Sequence, residues 1–256
     1  MMTINEYCVR WAACLALPCL IALPAYAGEV NVAVTADLAE PMQRIATLFQ
    51  KQSGHTVKQT PGANDRLYAQ IKKGASFDVL LSADEEIPRK LMQDGLAVGG
   101  TRFVYAIGRL VLWSAQSDLV DDKGKVLNSA SFVKLAMANP RYSPYGTAAK
   151  ETLTELTMWN AMQRRLDKRD DVVEAYQLAV TERAELALVA LSQVMRDGKI
   201  STGSWWIVPE TMHEPIRQSA VLLSGAQDVA AAKEFLTFMK SDKVRAVLRG
   251  FGYALP

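Results

Sequence analysis

Cysteine and histidine are the scarcest chemistry in this sequence of 256 residues, which holds three of the first and two of the second. Cys8, Cys14 and Cys19 all fall near the start, so the chain from Gly28 to Pro256 has no thiol. That excludes disulfides, thiolate metal sites and a cysteine nucleophile there. His55 and His213 stand far apart in unrelated contexts, so neither a histidine metal cluster nor a Ser-His-Asp triad is encoded. Solvated turn histidines are the plainer reading, and no metal or cofactor is expected. A Walker A loop, a dinucleotide glycine fingerprint and a Gly-x-Ser-x-Gly elbow are equally missing. The formal charge of +2 comes without a basic run interleaved with aromatics, which excludes a nucleic-acid footprint. Repeats, low-complexity segments and long flexible linkers are absent too.

What is there suits a globular, exported protein. Half of the residues are apolar and 22% are charged, enough for one large or two modest cores. Arg10 precedes the apolar run "WAACLALPCLIALP", and "AYA" ends at Ala27, which together read as a signal peptide over residues 1–27. That run is shorter than the roughly 20 residues a membrane-spanning helix needs. Cys19 follows Pro18 rather than a small residue, which argues against lipid attachment. A soluble periplasmic protein is the expectation.

From Gly28 onward, strand and helix patterns alternate. "EVNVAV" reads as a strand, and Leu38, Met42, Ile45 and Phe49 then recur at helical spacing from Asp37 to the stop at Gly54. "TVKQT" is a second strand, "PGAND" a turn and "RLYAQIKKG" a short helix. "FDVLLSAD" is a buried strand running into Ser82-Ala83-Asp84-Glu85, a capping-box pattern that opens a helix to about Gln93. Such units argue for mostly parallel sheets flanked by helices. "FVYAIGRLVLW" reads as one uninterrupted strand, long enough to leave one sheet and join another. A second α/β unit follows: "FVKLAMANP" (strand), "YGTAAKETLTELTMWNAM" and "DDVVEAYQLAVTER" (helices), and "AELALVALS" (strand). "SWWIVPETMHEPIRQSAVLL" is extended, and two helices, about Val229 to Lys240 and Asp242 to Arg249, close the chain.

One long strand out and one extended segment back predict two lobes with a cleft between them. The expected division is 28–106 plus 213–256 for lobe 1 and 107–212 for lobe 2, with hinges near Tyr105 to Gly108 and Val208 to Pro215. In parallel α/β sheets the strand-to-helix turns line the crevice where ligands bind. Four such places stand out: "TADLAE" around Asp37, "GANDR" around Asn64, "NPRYSPYGT" around Tyr145, and the helix start at Val172. First-turn amides carry unsatisfied N–H groups and the positive end of the helix dipole, which suits an oxyanion. The adjacent Trp205 and Trp206 point to opposite faces of a strand and read as packing residues.

The strings "YAQI", "LLSAD", "RFVYAIGRLVLWSA", "ANPRYSPYG", "ELALVALSQV" and "PIRQSAVLL", in this order, resemble the periplasmic molybdate-binding proteins of ABC importers along the whole chain after the signal peptide. That resemblance implies a two-lobe, type II periplasmic binding fold without enzymatic activity. It further implies a molybdate- or tungstate-type oxyanion caught in the interlobe cleft, handover to an inner-membrane permease, and a monomer. The family's first-turn Asn or Ser falls on Asp37 and its second-turn Ser on Asn64. Its Pro-Tyr-Gly tyrosine is retained as Tyr145, and the valine whose amide reaches the ligand corresponds to Val172.

Asn64 suits the role, because a carboxamide donates hydrogen bonds. Asp37 is the departure: an ionised carboxylate only accepts, and a like-charge pair at about 4 Å costs roughly 4 kcal/mol at an effective dielectric near 20. One reading makes Asp37 the N-cap of its helix with Glu40 as the capping-box partner. Three others keep it in the site: Arg66 balances it, it coordinates the metal centre of the oxyanion directly or shares a proton with it, or it selects a ligand bearing a hydroxyl, amine or cation. The rival class is a periplasmic enzyme with Asp37 or Glu40 as general base.

Overall fold

The computed structural model describes residues 27–256, so the signal-peptide expectation lies outside the described residues apart from Ala27. Strand β1 (Glu29–Thr35) leads through a 3-10 turn (Ala36–Leu38) into helix α1 (Ala39–Ser53). The helical stripe is buried as its spacing requires: Leu38, Met42, Ile45 and Phe49 are all in the core. Each such side chain contributes about 1.5–3 kcal/mol of burial. Next come β2 (Thr56–Gly62), α2 (Asn64–Lys72), β3 (Val79–Ser82), α3 (Glu86–Gln93) and β4 (Phe103–Gly108). Strand β2 runs on through Pro61 and Gly62, where a turn was expected. Pro61 is tolerated because β2 is an edge strand, paired on one side only.

The expected long strand is two strands. It breaks at Arg109, and β5 (Leu110–Ser114) belongs to the other sheet. The second unit contains β6 (Leu135–Ala138), α4 (Pro144–Glu155), α5 (Trp159–Met162), β7 (Leu166–Arg169), α6 (Val172–Val180), β8 (Leu186–Ala190) and α7 (Leu191–Val194). The single helix expected over 145–162 is interrupted at Thr157, whose φ of 58° is incompatible with an α-helix. A hairpin of β9 (Met195–Arg196) and β10 (Lys199–Ile200) precedes β11 (Ser204–Ile207). There Trp206 packs inside while Trp205 faces out. The chain returns through β12 (Ile216–Leu222) and ends with α8 (Val229–Phe238) and α9 (Asp242–Gly250).

The first sheet has the order β2-β1-β3-β12-β4, with β1 parallel to β2 and β3, and β12 antiparallel to β3 and β4. The second has the order β11-β5-β8-β6-β7, parallel across β8, β6 and β7 and antiparallel at β5 and β11. The chain therefore crosses between sheets at Arg109 and again between Ile207 and Ile216. The second sheet has one apolar core, around Leu110, Ala149 and Leu188; the first has two, one around Val32, Phe49 and Phe235 and one around Leu67, Leu80 and Leu91. Among the described residues no helix is long and apolar enough to cross a membrane.

Candidate functional site

Asp37 sits on the 3-10 turn between β1 and α1, and its side chain is only 3% exposed. It does not cap α1, which has no side-chain cap, and Glu40 forms an ion pair with Arg196 instead of closing a capping box. The carboxylate turns inward because better donors are there. Oδ1 accepts from the Thr35 hydroxyl at 2.9 Å. Oδ2 accepts from the hydroxyls of Tyr145 at 2.9 Å and Tyr253 at 2.7 Å, and from Gln218 Nε2 at 2.6 Å. The Gln218 amide is held in turn by Tyr105, whose hydroxyl donates to Oε1 at 2.8 Å. On the backbone, the Asp37 carbonyl accepts from Ser192 Oγ at 3.0 Å.

Three donors converge on Oδ2, more than its two lone pairs can each take singly, while Oδ1 accepts from Thr35 alone. The tyrosine hydroxyls stay donors: burial, and after it the Asp37 charge, pushes Tyr105, Tyr145 and Tyr253 well above the ordinary phenol value. Tyr145 reaches Asp37 because Gly108, at the end of β4, has no side chain; a Cβ there would overlap the phenol oxygen.

Asn64 begins α2 and is also buried. Its Oδ1 accepts from the Ala83 amide at 3.1 Å and its Nδ2 donates to Asp84 Oδ2 at 3.0 Å. Asp84 in turn caps α3, accepting from the Ile87 amide at 2.9 Å, which corrects the expected cap at Ser82. Burial raises the Asp84 carboxyl above the usual range despite the bonds from Ile87, Asn64 and Ser82. Arg66 pairs with Asp170 at 3.6 Å across the two units and does not balance Asp37. At α6, Asp171 accepts from the amides of Val173 and Glu174 and leaves the first amide, Val172, outside its cap. This helix packs against the Ala36–Leu38 turn.

Three cavities follow the seam between the sheets. The largest, about 420 Å³, is walled by Asn64, Asp84, Lys90, Arg141, Tyr142, Ser143 and Glu214 among others. A second, about 220 Å³, lies by Ala63, Arg66, Tyr142 and Asp170. The third, about 170 Å³, is lined by Ala36, Asp37, Val173, Gln193 and Arg196. Asn64, Arg66 and Asp37 thus each reach a cavity wall. Tyr145 and Val172 are buried beside the seam and wall none of the three. Sequence reasoning missed Thr35, Ser192, Gln218 and Tyr253. None carried a local signal: Gln218, fully buried, stands between Arg217 and Ser219 in the polar half of its strand.

Two α/β units joined by two crossings, with polar strand-to-helix turns facing one seam, define a two-lobe binding protein of the periplasmic type. The chain belongs to the bacterial extracellular solute-binding protein family, whose profile matches residues 30–254. It is 44% identical over 236 residues to the molybdate-binding protein ModA of Azotobacter vinelandii, covering 92% of this chain and 94% of that one. Against the protein of the same name from Rhodobacter capsulatus it is 43% identical over 242 residues, 94% of each chain. The solved structure of the Azotobacter vinelandii periplasmic molybdate-binding protein superposes with a TM-score of 0.86 at 38% identity, over 89% of this chain and 99% of that one.

Proposed function

We propose that this chain is the molybdate-binding component of an ABC importer, capturing molybdate or tungstate between its lobes and delivering it to an inner-membrane permease. One observation carries this reading: identity above 40% over more than nine-tenths of the chain to proteins named for molybdate binding, in a chain whose largest cavity lies between its two sheets. Binding, not turnover, is the function. The Val172 amide, the one first-turn amide outside the Asp171 cap, lies at the positive end of the α6 dipole opposite the Ala36–Leu38 turn and is the donor offered to the oxyanion. Asp37, Asn64, Tyr145 and Val172 are the site residues of this reading, with Arg66 at its edge. Lobe 1 is 28–106 with 213–256 and lobe 2 is 107–212, a division supported by the breaks at Arg109 and before Ile216. The periplasm, reached through residues 1–27 as a signal peptide, and a monomeric state complete it.

A second reading has its own observation. Asp65, Asp84, Glu86, Glu151 and Glu214 outnumber Lys90 and Arg141 around the largest cavity, which favours a ligand bearing a cation, amine or hydroxyl. A thermal-shift panel separates the two, because a ligand that binds only the native state raises its melting temperature. Molybdate and tungstate are expected to stabilise the protein, and sulfate and phosphate much less. Stabilisation by cationic or hydroxylated solutes with none by molybdate would replace the first reading with the second.

A further inference from the structure

We propose that removal of residues 1–27 creates the ligand of a site already built beside the first sheet: the α-ammonium of Gly28, held by His55 and Asp228. The inference rests on those residues being a signal peptide and stands apart from the identity of the solute. Ala27 is exposed and Gly28 is buried, so the chain enters the fold at the bond between them. The Gly28 nitrogen donates to His55 Nδ1 at 2.8 Å. A neutral ring that accepts at Nδ1 carries its proton on Nε2, which lies 3.2 Å from Glu234 Oε2 and donates there. His55, expected to be a solvated turn residue, has a side chain only 16% exposed and stacks on Phe49. The Gly28 carbonyl accepts from the Thr56 amide at 2.9 Å, which fixes the residue at the start of β1.

Asp228 supplies the charge. Its Oδ1 caps α8 by accepting from the Ala231 amide at 3.0 Å, and among the described residues its Oδ2 accepts no hydrogen bond. That oxygen lies against Gly28: a Cβ there would overlap it, so glycine is the residue that lets the carboxylate approach. In the uncleaved chain the Gly28 nitrogen is an amide with one hydrogen, already given to His55. Hydrolysis of the Ala27–Gly28 bond puts the hydroxyl of water on the Ala27 carbonyl carbon and the remaining hydrogen on the Gly28 nitrogen. The amine so formed takes a proton from solvent, because an α-amino group titrates at about 7.7–8.0. It then has two donors beyond the one used by His55, and Asp228 Oδ2 is the carboxylate oxygen beside it. A charge-assisted bond replaces an unpaired oxygen, so the chain reaches its full stability only once residues 1–27 are gone. None of Gly28, His55, Asp228 and Glu234 lines the three seam cavities.

The first measurement is the mass of the exported protein, which should give Gly28 as its first residue. Two purified chains then test the site itself, one beginning at Gly28 and one at Ala27, where the ammonium is moved one residue outward. The first should melt about 3–6 °C above the second at pH 7. Asp228→Asn removes the charge and keeps the cap of α8, since Asn caps a helix as well as Asp does. In that variant the gap between the two chains should shrink by about half or more, because a bond to an ionised acceptor is roughly twice as strong as a neutral one. Equal melting temperatures with Asp228 in place would overturn the site, and so would a gap of unchanged size in Asp228→Asn. An exported protein that keeps residues 1–27, or that begins at another residue, would instead remove the processing on which the proposal rests.

Discussion

Neutral donors surround the Asp37 carboxylate as water would, and a substitution there acts on two terms at once. Removing a like charge from beside a bound anion relieves roughly 4 kcal/mol per unit of ligand charge at about 4 Å and an effective dielectric near 20. Losing a charge-assisted bond between the lobes costs about 1.5–3 kcal/mol. The charge term is the larger, so Asp37→Asn should bind molybdate more than tenfold more tightly by calorimetry. Unchanged or weaker binding would show that the carboxylate does not oppose the oxyanion. Asp84 offers a test by pH. Its folded carboxyl is raised above 3.8, with burial the main cause, so the folded chain holds that proton more tightly than the unfolded chain. The stability this adds is complete below pH 3.8 and is lost as pH rises through the raised folded value. In Asp84→Asn, urea midpoints between about pH 4 and 7 should lack that falling component. An unaltered slope would place the titration elsewhere, for instance at Asp65, which is raised by burial and then by the Asp84 charge.

Elements with local signals were legible and those defined by distant partners were not. The stripe through Met42, Ile45 and Phe49 gave α1, and the apolar run of "FDVLL" gave β3, because burial of a repeating face is a local property. Strand β7, "LDKR", has no apolar alternation and exists because β6 offers it a parallel edge. The site divides in the same way. Asp37 and Asn64 stand at recognisable turns, whereas the bonds of Gln218 and Tyr253 to Asp37 span 181 and 216 positions and leave no local pattern. The β9–β10 hairpin did carry a signal that was passed over: Asp-Gly in "MRDGKI", with φ of 50° at Asp197 and 77° at Gly198, as a two-residue hairpin turn requires. The Gly198 amide donates to the Gly250 carbonyl at 2.9 Å, tying this hairpin to α9 across the seam. A Cβ at Gly198 would touch nothing, so Gly198→Ala isolates the backbone strain. It should cost about 1–2 kcal/mol and lower the melting temperature by a few degrees. A neutral outcome would mean that the turn relaxes into another geometry.

At the scale of the whole molecule, the apolar cores of the two sheets meet across a polar seam, and that seam is where a solute gains access to both lobes. A ligand held by only one lobe would stabilise that lobe, and the two would melt apart. A ligand held by both is linked to the native arrangement of the pair. At a concentration one hundred times its dissociation constant it contributes about 2.7 kcal/mol. For a protein of this length each kcal/mol corresponds to roughly 2–4 °C, so molybdate should raise the melting temperature by about 5–10 °C, in a single transition sharper than that of the empty protein. The ion pairs of Arg44 and Arg66 are exposed and screened by salt, while the Asp37 network is buried. The empty protein's melting temperature should therefore change little when sodium chloride is raised from 0.1 to 0.5 M. A ligand-induced split into two transitions would assign the bound solute to one lobe and remove the seam from the binding reaction.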